Sequence, residues 1–199
     1  MLVPQRRRKV LISFSATARS VAAGLALVLG MPGCAPNTAI VPQTSTTPPT
    51  TGSLAADFTA HDLEGKSIRL SSLFGTQVVL LSFSVTFCEP CIAELPHLRR
   101  MYEENKANGF VILGIAMDGP ETIANVPAFA RRNQLSFPMI SDQDSRISVL
   151  YNPRKAAPMS VLIDRSGKIA MVRTGYVPGD EDLLRKEVAR ALAEPAGSH

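Results

Sequence analysis

Thr86 to Pro96 reads TFCEPCIAELP. Two cysteines, Cys88 and Cys91, stand three positions apart with Glu-Pro between them, and Glu94 follows at the same interval. Such a pair can serve as half of a metal clip, as a structural disulfide or as a redox switch. A tetrahedral zinc site needs about four ligands. Beyond the pair, the histidines are His61, His97 and the C-terminal His199. A bridge over two intervening residues closes a small loop, and short loops constrain the unfolded chain least. The redox reading suits the spacing. On a helix, positions i and i+3 are neighbours, so Cys91 is held next to Cys88 and Glu94 next to Cys91.

The surrounding residues say where that helix begins. QVVLLSFSV (77–85) is an apolar, β-branched run of the kind that forms a buried strand. A helix is expected to follow it, opening at the cysteines and stopping near Gly109. Cys88 then lies at or near the N-cap, where free N–H groups and the helix dipole stabilise a thiolate. A thiol so placed can drop from about 8.5 toward roughly 7. Pro90 is tolerated there because its missing N–H would be unpaired in the first turn anyway. Pro96 should bend the helix. A buried Glu94 would have a raised pKa and could accept a proton from Cys91.

Further elements bracket this core. FTAHDLEGKSIRL alternates around Glu64-Gly65 and predicts a β-hairpin; SSLFG offers one helical turn. FVILGIAMD (110–118) is a second buried strand, and residues 121–135 read as helix, re-initiated near Pro127. FPMISD suggests a short strand and SRISVLY a short helix. Residues 159–175 form two strands around DRSGK, and 180–193 an amphipathic helix with three acids in its first turn. The expected fold is α/β, a central mixed sheet flanked by helices with an N-terminal hairpin extension.

At these residues the chain resembles the thioredoxin superfamily. The likeness is to its TlpA/ResA-like branch of bacterial extracytoplasmic thiol-disulfide oxidoreductases, related to the redoxins of the AhpC/TSA type. It rests on DFTAHDLEGKSIRLSSLFGTQVVLLSFSVTFCEPCIAELP, FVILGIAMD and AAPMSVLIDRSGKI, and spans about residues 55–193. The resemblance implies a thioredoxin-like fold, a redox-active Cys88–Cys91 disulfide and a catalytic Glu94. It also implies a cis Pro158 facing the cysteines, with Ala157 contacting substrate. Phe87 and Pro90 join Ala157 and Pro158 as expected substrate contacts. The family commonly has Trp before the first cysteine and another earlier in the stretch, whereas this chain has Phe87 and Ser84 and no Trp at all. The implied activity is exchange with protein dithiols and disulfides without a cofactor or metal. Its usual direction is reduction, of apocytochrome c thiols or mispaired disulfides, with electrons from a membrane thiol donor.

Two neighbouring branches offer other functions. A peroxiredoxin places Pro seven and Thr or Ser three residues before its reactive cysteine; here those positions are Leu81 and Val85. A copper-delivery protein of the SCO type separates its cysteines by three residues and adds a distal histidine. Here two residues intervene, and no histidine lies between 98 and 198.

The N-terminal part carries the remaining signals. Five of the 21 basic residues (Arg6, Arg7, Arg8, Lys9 and Arg19) lie within residues 1–33, which contain no acid. The 16 that remain face 17 acids, so no basic stripe is left for nucleic acid. A basic start followed by the apolar run Val21–Met31 reads as an export signal, and it is too short to span a bilayer comfortably, which takes about 20 residues. GMPGC at 30–34 resembles a bacterial lipoprotein signal, with Gly33 before a lipidated Cys34; Met31 and Pro32 depart from that pattern. The uncharged Thr/Pro-rich stretch that follows has the composition of an extended tether. The expected organisation is a signal at 1–33, lipidated Cys34 plus tether at 34–54, and a thioredoxin-like domain at 55–195. The expected location is the periplasmic side of a bacterial membrane, where a disulfide can form.

Overall fold

The computed structural model describes residues 49–195. The expected signal at 1–33, Cys34 and the tether up to residue 48 lie outside the described residues. Among the described residues no helix is long and apolar enough to cross a membrane.

A five-stranded mixed sheet forms the centre. Its strands are β3 (Val78–Ser84), β4 (Phe110–Ala116), β5 (Met139–Ser141), β6 (Met159–Ile163) and β7 (Ile169–Thr174), in the order β5-β4-β3-β6-β7. β3 is parallel to β4 and antiparallel to β6, and β6 is antiparallel to β7. Every residue of β3 is buried, as its unbroken apolar run requires of a strand covered on both faces. A separate two-stranded hairpin, β1 (Thr59–His61) and β2 (Ser67–Arg69), precedes the sheet. It caps the β5 edge, where the Leu63 N–H donates to the Met139 carbonyl at 2.9 Å. At the other edge Gly52 donates to the Ile169 carbonyl at 2.8 Å, and Ile169 donates to Ser53 at 2.9 Å. Backbone pairing therefore begins before residue 55.

Among the described residues four α-helices complete the layers: α1 (Glu89–Asn105), α2 (Val126–Arg132), α3 (Arg146–Tyr151) and α4 (Asp180–Ala193). One core joins α3 and the hairpin to the sheet through Tyr151, Ile147, Phe58, Ile68, Val79, Leu81 and Phe83. The other joins α1, α2 and α4 through Leu95, Leu98, Phe129, Leu184, Val188, Val78 and Leu80. Each such side chain contributes roughly 1.5–3 kcal/mol when fully buried.

The helix expected over 121–135 is shorter. A 3-10 turn at Ile123–Asn125 leads into α2, which carries Pro127 in its first turn and ends at Arg132; Gln134 is already at φ 51°. α1 runs through Pro96 without interruption and ends in a 3-10 turn closed by Gly109 at φ 84°. A Cβ there would sit 2.7 Å from the Thr76 carbonyl oxygen, so this reversal into β4 calls for glycine.

Candidate active site

β3 delivers the chain to the cysteines. The Cys88 N–H donates to the Val85 carbonyl at 3.2 Å, closing a tight turn, and the Ile92 N–H donates to the Cys88 carbonyl at 3.0 Å, opening α1. Cys88 is the N-cap, with φ −87° and ψ 107°, and its Sγ accepts the Cys91 N–H at 3.2 Å. The sulfur thus occupies the place where a capping oxygen would sit. Cys88 and Cys91 are joined in a disulfide, with their Cα atoms 5.2 Å apart. Cys88 is half-buried, whereas Cys91 is 2% exposed. A partner approaching this bridge meets Cys88 first. Phe87 beside it is 70% exposed, and Pro90 is exposed too.

The turn before Cys88 is anchored from the segment that follows β4. Asp118, 2% exposed, accepts the Thr86 N–H at 3.0 and 3.2 Å and the Thr86 hydroxyl at 2.5 Å. Sequence reasoning missed this anchor. Its signal was an acid closing an otherwise apolar run.

The third wall is the loop before β6. The Ala157–Pro158 peptide is cis. In the β3–β6 register Phe83 faces Met159. That is the last pair of the register, so Pro158 directly precedes it at the end of β3 that leads to the cysteines. Asn152 holds this loop: its amide donates to the Ala156 carbonyl at 2.8 Å and accepts the Ala156 N–H at 2.9 Å. Ala157 is half-buried and Pro158 buried, and the Pro158 carbonyl accepts the Gly175 N–H at 2.8 Å. Among the described residues, the Ala157 carbonyl and N–H take no part in these backbone contacts. Asn152 was not singled out from sequence, where nothing distinguishes it from an ordinary helix-ending polar residue.

Glu94 is 2% exposed, one helical turn beyond Cys91. Its carboxylate pairs with the Arg173 guanidinium from β7. Burial pushes Glu94 above the ordinary carboxylate range; Arg173 pulls it back, and Asp180 and Glu181 push it further up. Arg173 was also missed. It lies in the alternating stretch IAMVRT, which reads as an ordinary edge strand. Around the pair, the Tyr176 ring lies 5.8 Å from the guanidinium carbon, and the Tyr176 hydroxyl donates to Glu181 at 3.0 Å. His97, on the next turn of α1, approaches Glu181 at 3.7 Å.

Among the described residues no group of three or more His, Cys, Asp or Glu side chains is placed to hold a metal. What the arrangement can do is thiol chemistry. It has an accessible sulfur at a helix N-terminus, a shielded sulfur bonded to it, and a buried carboxylate close by.

The chain is similar to known proteins in sequence and in fold. The AhpC/TSA family model matches residues 51–172. The chain is 38% identical over 124 residues to the thiol-disulfide oxidoreductase ResA of Halalkalibacterium halodurans, covering 62% of this chain and 68% of that one. It is 35% identical over 130 residues to ResA of Geobacillus thermodenitrificans, covering 65% and 72%. A Chlorobium tepidum structure assigned as the thiol:disulfide interchange protein DsbE superposes with a TM-score of 0.67 and 29% identity, over 73% of this chain and 99% of that one. A secreted disulfide oxidoreductase of Mycobacterium tuberculosis, homologous to E. coli DsbE, superposes with a TM-score of 0.56 and 26% identity, over 67% and 95%. The chain belongs to the AhpC/TSA family, on its thioredoxin-like branch of thiol-disulfide oxidoreductases similar to ResA.

Proposed function

We propose that this oxidoreductase works outside the cytoplasm as a reductase of protein disulfides. The observation that carries the reading is the asymmetry of the pair: Cys88 is half-buried at the N-cap of α1, and Cys91 is 2% exposed behind it. In the reduced protein the Cys88 thiolate attacks a partner's disulfide. One new S–S bond forms, and the partner's other sulfur leaves as a thiolate and takes up a proton. Cys91 then gives its proton to Glu94 and attacks Cys88, which releases the partner's second sulfur. The partner gains two electrons and the Cys88–Cys91 bridge re-forms.

The surrounding residues have matching roles. Phe87 and Pro90 give the partner an apolar landing beside Cys88. Ala157, ahead of the cis Pro158, offers backbone groups to an extended substrate segment. Electrons to re-open the bridge come from a membrane thiol donor, and Cys34 carries the lipid that keeps the domain at the membrane. The Thr/Pro-rich composition of the tether supports that placement. Apocytochrome c and mispaired exported proteins are the substrate classes expected from the resemblance to ResA. Leu81 and Val85, where a peroxiredoxin needs Pro and Thr or Ser, argue against a peroxidase.

The test is reduction of insulin disulfides by the mature domain and two variants. Cys88→Ser is expected to abolish it. Cys91→Ser is expected to accumulate a mixed disulfide through Cys88, which names the partner when trapped in cells. Unimpaired insulin reduction by Cys88→Ser would overturn the reading.

A further inference from the structure

Arg173 lies outside the cysteine motif, yet its surroundings are unusual. Its side chain is 11% exposed, and it meets two carboxylates of very different accessibility. Glu94, from α1, is 2% exposed; Asp180, the first residue of α4, is 36% exposed and its Oδ2 lies 3.4 Å from the Arg173 Nη1. Asp180 is fixed from its other side, since the same oxygen accepts the Val177 N–H at 3.0 Å. Among the described residues, the Arg173 Nε and Nη1 have no hydrogen-bond partner. The guanidinium therefore has donors to spare between its two acids.

We propose that Arg173 is a positioning residue shared between Glu94 and Asp180, and that this sharing sets the charge Glu94 carries while the Cys88–Cys91 pair turns over. The inference rests on the role given above to Glu94. When the Glu94 carboxylate takes the Cys91 proton, it becomes neutral, and Arg173 loses its buried counter-ion. A buried guanidinium left alone is costly. Asp180, already 3.4 Å from Nη1, supplies the second anion. Proton uptake at Glu94 then leaves the cation compensated, and no buried charge is stranded at either stage of the cycle.

Other charged groups facing Glu94 do not replace this device. Glu181, beside Asp180, is occupied by the Tyr176 hydroxyl at 3.0 Å and by the Gly179 N–H at 2.9 Å. His97, on the same helix as Glu94, faces Glu181 at 3.7 Å. Tyr176 contacts Arg173 through its ring. Among the described residues, Ser160, the cross-strand neighbour of Arg173, leaves its buried hydroxyl unpaired and adds no charge.

Removing Arg173 and removing Asp180 are expected to have opposite effects. Removing the cation makes an ionised Glu94 harder to keep; removing Asp180 leaves Arg173 wholly to Glu94. The experiment follows the rate at which the reduced mature protein reduces insulin disulfides across pH. The infrared carboxyl stretch of Glu94 is followed in parallel. Arg173→Met is expected to move the Glu94 transition to higher pH, and Asp180→Asn to move it to lower pH. Arg173→Lys is expected to return it toward the parent position, and Glu94→Gln to remove it. Asp180 is half-exposed, so its variant keeps the test available if Arg173→Met does not fold. Shifts in the same direction, or no shift with Asp180→Asn, would overturn the sharing. Loss of exchange in Cys88→Ser together with an unmoved Glu94 transition would sink this inference alone. Persistent exchange in Cys88→Ser would sink the functional reading beneath it.

Discussion

Toward α3 and the hairpin, β3 presents Val79, Leu81 and Phe83; toward α1 and α4 it presents Val78, Leu80, Ser82 and Ser84. The first face is apolar along its whole length. The second turns polar toward the end of β3 from which the chain runs to Cys88. Ser160 on β6 and Arg173 on β7 continue that polar strip, and Glu94 meets it from α1. All these groups are buried or nearly so. One sheet therefore separates two tasks. One face supplies cohesion, and the other gives up part of its cohesion to place charge near the Cys88–Cys91 disulfide.

The largest effect should come from the apolar face. Leu81 is fully buried, and Leu81→Ala is expected to cost about 2–5 kcal/mol in chemical denaturation. The exchange rate of the folded fraction should stay as it was. A changed rate without lost stability would break the division between the faces.

Asp118→Ala probes the anchor of the redox turn. It leaves the Thr86 N–H and hydroxyl without their acceptor and is expected to cost about 1–3 kcal/mol. Unlike Leu81→Ala, it should also slow insulin reduction by the folded protein, because the turn that presents Cys88 is loosened. Ser160→Ala goes the other way. Removing a buried hydroxyl that lacks a partner among the described residues should raise stability by about 1 kcal/mol. A loss of similar size would mean that the hydroxyl has a structural role.

The pH dependence of stability sharpens the contrast in sign. Asp57, on the entry to the hairpin, is held low: burial pushes it up, but the Arg69 side chain and the Ser71 N–H and hydroxyl outweigh that. Its contribution is present above the ordinary value of 3.8 and is lost as pH falls through the lowered one. Glu94 is raised by burial above its ordinary 4.5, so the folded state binds that proton more tightly than the unfolded chain. Its effect is a loss of stability as pH rises from 4.5 through the raised value. Asp57→Asn should flatten the acid arm of a stability profile and Glu94→Gln the arm above it. Reversed assignments in a urea titration series would contradict the electrostatic account.

Much of this was legible in the sequence. The unbroken runs of β3 and β4 mark strands covered on both faces, and DRSGK marks the β6–β7 turn. The cysteine spacing and Pro90 place the start of α1. The helix expected over 121–135 stops at Arg132 although the periodicity runs on, because the backbone turns to φ 51° at Gln134. Of the polar groups around the cysteines, Glu94 could be found, since its spacing is local. Asp118 and Arg173 could not, because their partners Thr86 and Glu94 are distant in the chain. A single polar residue in a strand does not reveal which helix covers it.

The most direct test is a redox titration of the mature domain in glutathione or dithiothreitol buffers, reading free thiols by alkylation. The account predicts one reversible two-electron transition of the Cys88–Cys91 couple, with Cys88 alkylated ahead of Cys91. A bridge that stays closed down to potentials well below about −300 mV, the range of structural disulfides, would contradict it.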